Sequence, residues 1–287
     1  MINDLLLRAM PELPEVEILA RHLRPLLRGK SIRNVVVRRA RATRPTPPAV
    51  FLKALAGAKF KNLSRRGKYL LFQLQPKKSK ELLMVLGHLG MAGRMFVALK
   101  KETLPSHTAI VFDLGDRNFI YEDHRYFGRM SLDLSPMEML GPEPSEISAE
   151  EFAESLKDSR QAIKIKLLDQ SLIAGIGNIY ASEALFRAHI SPKLPANQLT
   201  AAQAKNLLRA VRVVLNDAIT FGSTVPLKTM SGKSGAFFYF DDDGEGFYEE
   251  RLRIYDRAGK PCPNCGAKIK RITQAARSTY FCPRCQR

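Results

Sequence analysis

The sequence contains no tryptophan, only four cysteines and no long apolar run. A membrane-spanning helix needs about 18 or more consecutive apolar residues, and no segment approaches that length, so we expect no membrane span. The run 5–7 is also too short for the apolar core of a signal peptide. The composition, 45% hydrophobic over 287 residues, suffices for one large or two ordinary domains. We therefore expect a cytoplasmic protein.

Acidic residues are missing from two long stretches of the chain. None lies between Ile18 and Lys80, and none follows Asp256. The whole chain carries 46 Lys and Arg against 28 Asp and Glu, a net charge of +18. Two separate basic regions indicate two contributions to one polyanion-binding surface. From charge alone, a basic face that only serves solubility is the alternative, and a membrane surface is less favoured because the basic residues do not follow one amphipathic helix.

The spacing of apolar residues predicts a β-rich half followed by a helical half. Capping boxes at Ser148 with Glu151, and at Thr200 with Gln203, mark two helix starts. The predicted helices are Pro14 to about Leu27, Pro48–Leu55, Ser148 to about Lys157, Arg160–Leu168 and Thr200 to about Phe221. Short runs typical of a sandwich or barrel predict strands at Ile32–Val37, Tyr69–Leu74, Leu82–Leu86, Arg94–Leu99, Thr108–Leu114, Phe119–Glu122 and Arg129–Leu134.

All cysteines belong to one motif late in the sequence. The motif is C-x2-C-x16-C-x2-C, formed by Cys262, Cys265, Cys282 and Cys285. Each C-x2-C turn presents two thiolates, and two such turns complete a tetrahedron around zinc. Two disulfides, the alternative, would need an oxidising compartment that nothing in the sequence supports. Because four thiolates leave no coordination position for water, we expect one structural zinc, with a basic hairpin between the two turns.

The stretch Met10-Pro11-Glu12 carries a candidate nucleophile. A chain that started at Met10 would lose that methionine and expose the secondary amine of Pro11. Such an amine can attack a sugar carbon and form a cationic iminium, with Glu12 beside it as acid or base. We expect residues 1–9 to reflect a mis-assigned start, with a cleavable or regulatory extension as the alternative. If Met1 is the final terminus, the Pro11 nitrogen is an amide, and the plain interpretation of Pro11-Glu12 is a helix entry.

Other motifs have both a functional and a plain structural interpretation. The glycine turn 175–177 precedes Asn178 at a helix start, which favours phosphate binding, or it forms only a tight helix–helix turn. Arg125 and Phe127 join a cation and an aromatic ring in a turn, which can fill the space left by an extruded base, or they form an ordinary salt bridge and core ring. The segment 88–91 is most simply a loop packed on the core.

In combination, these motifs resemble the bacterial formamidopyrimidine-DNA glycosylase family. The resemblance runs from Met10 onwards and implies an α+β fold of two domains, an N-terminal β-sandwich with flanking helices and a C-terminal helix–two-turn–helix module plus a zinc-finger β-hairpin. The motifs that carry it, in family order, are Pro-Glu-Leu-Pro-Glu-Val from Pro11, Arg-Gly-Lys-Tyr-Leu-Leu from Arg66, His-Leu-Gly-Met from His88, Arg-x-Phe-Gly from Arg125, Gly-Ile-Gly-Asn-Ile-Tyr-Ala-Ser-Glu from Gly175 and the four-cysteine finger.

The resemblance also implies a division of the chain. The predicted parts are the extension 1–9, an N-terminal catalytic β-sandwich domain 10–134, a linker 135–147, a helix–two-turn–helix DNA-binding module 148–246 with a lid loop 224–246, and a zinc finger 247–287.

The implied activity is base-excision repair of oxidised purines, 8-oxoguanine and formamidopyrimidines, in double-stranded DNA by a monomer. Pro11 would displace the damaged base, and β- and δ-elimination would follow. Met91, Arg125 and Phe127 would fill the gap left by the flipped nucleotide. The resemblance assigns catalytic roles to Pro11, Glu12, Lys68 and Arg277, and DNA contacts to Met91, His107, Arg125, Phe127 and Asn178.

Besides the extension 1–9, the sequence departs from the family at two places. Two other functions are alternatives to the repair of oxidised purines. His124 stands where many family members have proline, and the segment 224–246 differs from common family versions. An endonuclease VIII-like glycosylase for oxidised pyrimidines shares the terminal Pro-Glu, but Leu13 and the full set of gap-filling residues favour the purine enzyme. A non-catalytic, zinc-containing DNA-binding protein would keep the basic face and the finger but have a blocked Pro11.

Overall fold

The computed structural model describes residues 11–221 and 252–287. Within them, residues 11–138 form one compact unit, and residues 139–221 with 252–287 form a second. The predicted extension 1–9 and the predicted lid loop 224–246 lie outside the described residues. Each of the two units has its own hydrophobic core.

The first unit is a β-sandwich with flanking helices, which confirms the predicted fold class for this half. Its two four-stranded sheets are antiparallel, with strand orders β1-β6-β7-β5 and β2-β3-β4-β8. The elements in chain order are α1 (Leu13–Leu27), β1 (Asn34–Val37), α2 (Pro48–Leu55), β2 (Lys59–Arg66), β3 (Tyr69–Gln75), β4 (Leu83–His88), β5 (Gly93–Leu99), β6 (Thr108–Asp113), β7 (Arg117–Asp123), β8 (Arg129–Ser131) and α3 (Ser135–Glu138).

Four phenylalanines join the two sheets of the sandwich. Phe60 and Phe72 come from the β2-β3-β4-β8 sheet, and Phe112 and Phe119 from the other. The ring centroids of Phe72 and Phe119 lie 5.6 Å apart, and those of Phe60 and Phe119 lie 6.2 Å apart. Aromatic pairs at this separation contribute about 0.5–1.5 kcal/mol beyond their buried area. The cluster therefore fixes the two sheets, and the loops at their ends, relative to each other.

Strand β2 was not among the predicted strands. Five of its eight residues are basic or amidic, and a β-bulge between Phe60 and Asn62 breaks the alternation of apolar and polar residues. Only Phe60 and Leu63 of this strand are buried hydrophobics. The prediction failed here because β2 is identified by its pairing with β3, which is a tertiary relationship. Other predicted boundaries moved by a few residues, and β8 ends at Ser131 rather than Leu134.

The second unit is helical and ends in a β-hairpin. Both predicted capping boxes form: the Glu151 N–H donates to Ser148 Oγ at 3.1 Å, and the Gln203 N–H to Thr200 Oγ1 at 3.2 Å. The helix predicted from Arg160 begins only at Ile163, because Ala162 pairs with Pro195 in an isolated β-bridge. The elements are α4 (Ala149–Glu154), α5 (Ile163–Leu167), α6 (Asn178–Arg187), α7 (Ala201–Phe221), β9 (Lys270–Gln274) and β10 (Arg277–Phe281).

Within residues 11–221 and 252–287, no helix combines the length and the apolar composition needed to cross a bilayer.

Candidate functional site

The predicted nucleophile lies at the N-terminus of α1. Glu12 is the N-cap residue, and its backbone N–H donates to the Glu15 carboxylate at 2.9 Å. Both glutamates are only 3% exposed. Pro11, directly before the cap, is bonded through its nitrogen to Met10 in the full-length chain. The geometry therefore places a buried carboxylate next to a nitrogen that becomes an amine only when residues 1–10 are removed.

Ion pairs connect α1 to the hairpin that carries Lys68. The Glu17 carboxylate accepts from Arg21 at 2.7 Å and from Arg65 at 2.9 Å, and Arg65 belongs to β2. Burial alone would raise the pKa of Glu17. The hydrogen bonds and charges of the two arginines outweigh burial, so the net effect is a lowered pKa. Lys68 follows in the turn between β2 and β3 and is only 8% exposed. Lys68 is thus a buried cation and not an exposed surface lysine.

His88 organises the turn after β4. Its Nδ1 accepts the Gly90 N–H at 3.2 Å, and its ring lies 4.8 Å from the ring of Tyr69. Burial, the Arg129 charge and the Lys68 charge lower the pKa of His88 to about 4. The imidazole is therefore neutral near pH 7, which leaves Nδ1 available as an acceptor. From its residues alone this segment was predicted to be a packed loop, and the resemblance gave a role to Met91 but none to His88.

Two glycines bring together the loops that carry the predicted gap-filling residues. A Cβ on Gly90, whose φ is +64°, would lie 2.4 Å from the nitrogen of Gly128. A Cβ on Gly128 would lie 2.2 Å from Tyr121 Oη. The backbone of the 88–91 turn therefore packs directly on the backbone of the loop 123–128. This contact brings the loop of Met91 against the loop of Phe127, whose side chain is 51% exposed.

Asp123 fixes the conformation of the loop that carries Arg125 and Phe127. Its Oδ1 accepts the Arg125 N–H at 2.9 Å, and its Oδ2 accepts the Gly128 N–H at 2.8 Å. The guanidinium of Arg125 lies 5.2 Å from the centroid of the Phe127 ring. Because both ends of the loop bond to one buried carboxylate, this cation–aromatic pair is presented at the surface by a rigid support.

His107 borders the same loop. Its carbonyl oxygen accepts the Asp123 N–H at 3.1 Å, and its Nδ1 lies 3.5 Å from Tyr126 Oη. The side chain is exposed. The loops stabilised by Asp123 and Gly128 therefore lie close together in the first unit. They carry or border the predicted DNA contacts Met91, His107, Arg125 and Phe127.

In the second unit, a buried lysine fixes Asn178. Lys164 is fully buried, and its Nζ donates to Asn178 Oδ1 at 2.6 Å, to the Ser278 carbonyl at 2.9 Å and to Thr279 Oγ1 at 2.7 Å. Asn178 Nδ2 donates to the same Ser278 carbonyl at 3.0 Å. Lys164 therefore joins α5, the start of α6 and the hairpin strand β10. The sequence analysis missed it; the signal available was a lysine between two isoleucines at the start of a short helix.

The tip of the β9–β10 hairpin presents Arg277. Arg277 pairs with Gln274, so the loop between the strands is Ala275–Ala276. The two alanines have φ of +45° and +59°, which matches a type I′ turn with positive φ at both central residues. Arg277 is exposed immediately after this turn, one residue before the carbonyl that Lys164 and Asn178 share. Arg277, predicted to have a catalytic role, and Asn178, predicted to contact DNA, are thereby coupled within one unit.

The four cysteines form a tetrahedral donor set. Their Sγ atoms all lie within 4.8 Å of one another, with Cys262 and Cys285 at 3.9 Å and Cys265 and Cys282 at 3.5 Å. Zinc–sulfur bonds of about 2.3 Å in a tetrahedron place sulfurs about 3.8 Å apart, so this donor set matches zinc. With four thiolates and no water position, the metal is structural.

Glu183 attaches the zinc-binding segment to α6. Its carboxylate accepts the backbone N–H groups of Arg253, Ile254 and Tyr255 at 3.1, 2.9 and 2.8 Å. Burial raises the pKa of Glu183, and the three N–H donors and the Arg253 charge oppose that rise. The finger also packs through Ile254 on Phe186 of α6. Helix α6, which begins at Asn178, is therefore fixed to the finger at both of its ends.

Known proteins of one family match most of the chain. Models of the formamidopyrimidine-DNA glycosylase N-terminal domain, of its H2TH domain and of the zinc finger found in FPG and IleRS match residues 10–130, 140–229 and 259–287. The formamidopyrimidine-DNA glycosylase of Symbiobacterium thermophilum is 40% identical, with 96% of this chain and 89% of the relative covered. This chain belongs to the formamidopyrimidine-DNA glycosylase family. The resemblance inferred from the motifs is confirmed.

Solved structures of the glycosylase from Lactococcus lactis match the fold as well. A G226P mutant bound to DNA containing Fapy-dG has a TM-score of 0.84 at 32% identity, covering 96% of this chain and 99% of that chain. The wild-type enzyme bound to DNA containing an oxidised pyrimidine gives the same TM-score, identity and coverage. The helix–two-turn–helix module and the zinc finger predicted for the second unit are confirmed as family features.

Proposed function

We propose that the chain excises oxidised purines, 8-oxoguanine and formamidopyrimidines, from double-stranded DNA and then cleaves the strand at the resulting site. As a member of this family, the protein is a base-excision repair glycosylase. The observation that carries the finer proposal is the Pro11–Glu12 pair at the start of α1, where Glu12 is buried beside the prospective amine.

Pro11 supplies the nucleophile and Glu12 the proton transfers. The unprotonated Pro11 amine attacks C1′ of the damaged nucleotide, and the bond from C1′ to the base breaks as the base leaves with a proton. Glu12 donates a proton to the ring oxygen, the sugar opens, and the nitrogen–C1′ bond becomes an iminium. Loss of a C2′ proton and the 3′-phosphate, then of the 5′-phosphate, gives β- and δ-elimination. Hydrolysis of the iminium frees the amine.

The other residues bring DNA to that amine. Met91, Arg125 and Phe127 fill the space of the flipped nucleotide, whose extrusion costs a few kcal/mol. We assign phosphate contacts to Lys68 and His107 in the first unit. We assign the phosphates flanking the lesion to Asn178 and Arg277, whose coupling through Lys164 and the Ser278 carbonyl supports a joint role.

The proposal requires that Pro11 becomes the N-terminal residue. We propose that residues 1–9 are not part of the working enzyme, whether through a start at Met10 or through cleavage. The N-terminal domain match begins at residue 10, which supports this. We keep the division into a catalytic domain 10–134, a linker 135–147, a module 148–246 and a finger 247–287 as part of the proposal. We also propose a monomer that works in the cytoplasm, where a DNA substrate of this kind is accessible.

A second candidate is preferential excision of oxidised pyrimidines. A solved structure shows the Lactococcus lactis enzyme bound to DNA that contains an oxidised pyrimidine, which supports this second candidate. The test compares matched duplexes that carry 8-oxoguanine opposite cytosine or thymine glycol opposite adenine. We expect faster excision of 8-oxoguanine, and strand cleavage without alkali because of the elimination steps. A clear preference for thymine glycol would replace the first candidate with the second. Glu12→Gln is the control, and its excision should be much slower on both duplexes.

A further inference from the structure

One glutamine side chain bridges the loop between α5 and α6. Gln170 Nε2 donates to the Leu168 carbonyl at 3.0 Å and to the Ile176 carbonyl at 2.8 Å, and its Oε1 accepts the Gly175 N–H at 2.9 Å. Both amide hydrogens and the amide oxygen therefore bond to backbone groups. Because carbonyls only accept and an N–H only donates, these partners also determine which end of the amide is nitrogen.

These bonds connect the end of one helix to the start of the next. Leu168 is the C-cap residue of α5, and the last carbonyls of a helix have no partner within that helix. Ile176 lies two residues before Asn178, with which α6 begins. Gly175 has a φ of +91°, a conformation that residues with a Cβ rarely adopt. Gln170 therefore stabilises the backbone turn from which α6 starts.

Gly141 and Pro142 bind the same loop through backbone hydrogen bonds. The Gly141 N–H donates to the Gln170 carbonyl at 2.9 Å, and the Ala174 N–H donates to the Pro142 carbonyl at 2.9 Å. The approach is close, because a Cβ on Gly141 would lie 2.2 Å from the Ser171 carbonyl oxygen. The Gln170 side chain thus extends from a part of the loop whose backbone is itself fixed.

Asn178 has two separate supports as a result. Lys164 and the Ser278 carbonyl bind its side-chain amide, and Gln170 fixes the backbone turn directly before it. A hydrogen bond from the Asn178 side chain to a phosphate needs both supports, because the position of the amide depends on the backbone as well as on the rotamer.

We propose that Gln170 is a positioning residue for the DNA phosphate that Asn178 contacts. It acts by holding the turn 175–177 in the conformation that places the start of α6 against the DNA backbone, and it contacts neither the phosphate nor the reacting atoms. The proposal rests on the proposed function and deepens it, since the phosphate contact of Asn178 belongs to that function.

The experiment is a double-mutant cycle of Gln170→Met and Asn178→Ala. Methionine keeps the unbranched shape of glutamine but removes the amide. The probe is a duplex with one tetrahydrofuran abasic analogue, and its affinity is measured for the wild type, the two single variants and the double variant. We expect Gln170→Met to lower duplex affinity about tenfold, the effect of one charge-assisted hydrogen bond.

The double variant tests whether Gln170 acts through Asn178. In the Asn178→Ala background, Gln170→Met should cost less than about twofold in duplex affinity, because the contact that Gln170 positions is already missing. The two losses should therefore not add.

Excision provides a readout that a purely structural role would not give. The chain that begins at Pro11 is used in excess over a duplex with 8-oxoguanine. For Gln170→Met the half-saturating enzyme concentration should rise about tenfold and the rate at saturation should change less than about twofold, because a contact made before and during the reaction contributes to binding and not to the chemical step. An equally large fall in the saturated rate would contradict a role in positioning DNA through a phosphate contact.

Gln203→Met is the matched control. Gln203 also bonds a backbone N–H with its side-chain amide, that of Thr200 at 2.9 Å, but it does so at the start of α7. The control removes a hydrogen bond of the same kind from the same unit, so duplex affinity should stay as in the wild type. Thermal unfolding verifies that each variant is folded. Gln170→Asn, which keeps the amide on a shorter side chain, takes the place of Gln170→Met if the latter does not fold.

Three affinity results would overturn the proposal. One is wild-type affinity for Gln170→Met. Another is a loss as large in the Asn178→Ala background as in the wild type, because Gln170 would then act elsewhere. The third is wild-type affinity for Asn178→Ala, which would remove the contact that Gln170 positions. Failure of the proposed function is separate and visible in the wild type alone, which would neither prefer the abasic duplex over undamaged DNA nor excise a base.

Discussion

Gly90 and Gly128 pack backbone against backbone, and a Cβ on Gly90 would come within 2.4 Å of the Gly128 nitrogen. The contact holds two loops together that are far apart in sequence. Neither glycine has a proposed catalytic role, but their contact sets the positions of the loops that carry Met91 and Phe127.

Gly90→Ala should weaken binding to damaged duplex while the protein stays folded. The alanine must adopt a φ of +64° and displace the neighbouring loop, and the positive φ alone costs about 1–3 kcal/mol. Gly29→Ala is the matched control, because Gly29 has a φ of +81° with nothing within 4 Å of its Cβ position. Urea unfolding and duplex affinity are measured for both. Equal loss of affinity in the two variants would show that the loop contact is unimportant.

Lys164→Met should cost stability and DNA affinity together. The substitution removes the Lys164 donor from Asn178 Oδ1 and Thr279 Oγ1. The Ser278 carbonyl keeps the hydrogen bond from Asn178 Nδ2. Each buried acceptor left unsatisfied costs about 1–3 kcal/mol. We expect duplex affinity to fall at least about tenfold, since a tenfold loss needs only about 1.4 kcal/mol. Lys166→Met is the control. Its ion pair with Asp169 is partly exposed, and exposed pairs contribute about 0–1 kcal/mol.

Stability should fall as the pH falls from about 6.5 to 4. The pKa of His88 is lowered to about 4 in the folded chain, below the ordinary value of about 6.5, so the unfolded chain binds protons more readily in this range. The stabilisation is complete above pH 6.5 and is lost as the pH falls through 4. For His88 it amounts to at most about 3 kcal/mol.

His88→Asn separates that contribution. Asparagine does not titrate but keeps an acceptor near the position of Nδ1, so the free energy of unfolding should depend less on pH. Some dependence should remain, because burial also lowers the pKa of His22 to about 4. A variant whose pH profile parallels that of the wild type would exclude His88 as a cause.

Zinc removal should abolish DNA binding before it unfolds the first unit. The four thiolates close one tetrahedral site, and small finger domains lose their structure without metal. The hairpin that carries Arg277 would then lose its support, while the phenylalanine core of the sandwich contains no metal ligand. Metal analysis should find one zinc per chain, and chelation followed by near-ultraviolet circular dichroism and duplex titration tests the order of events. Unchanged duplex affinity in the metal-free protein would contradict this prediction.

Local patterns predicted the parts of the molecule that depend on neighbours in sequence. Helix α1 and both capping boxes follow from spacings of three or four residues, and the cysteine cluster follows from two C-x2-C turns. The tertiary relationships could not be found in this way. Lys164 acquires its role from Asn178 and Thr279, which come from other elements. His88 depends on burial under Tyr69 and on charges from Lys68 and Arg129.

The predicted DNA contacts illustrate the same limit. The motifs identified Met91, Arg125 and Phe127 individually, but not the two glycines and the Asp123 carboxylate that bring their loops together. Asn178 was predicted as a phosphate contact. In the structure its side chain is oriented by a hydrogen bond from the buried Lys164. A residue that positions other residues is difficult to identify from sequence, because aspartate and glycine are common in loops of every kind.

The central claim is that the nitrogen of Pro11 forms the covalent bond to DNA. The most direct test incubates the purified protein with an abasic-site duplex and borohydride, which reduces the iminium, and then determines the intact mass and the modified residue. We predict an adduct on Pro11 of chains that begin at Pro11, and none on chains that retain Met1. A chain that begins at Pro11, binds the duplex and yet forms no adduct would contradict the account and favour a DNA-binding protein without this chemistry.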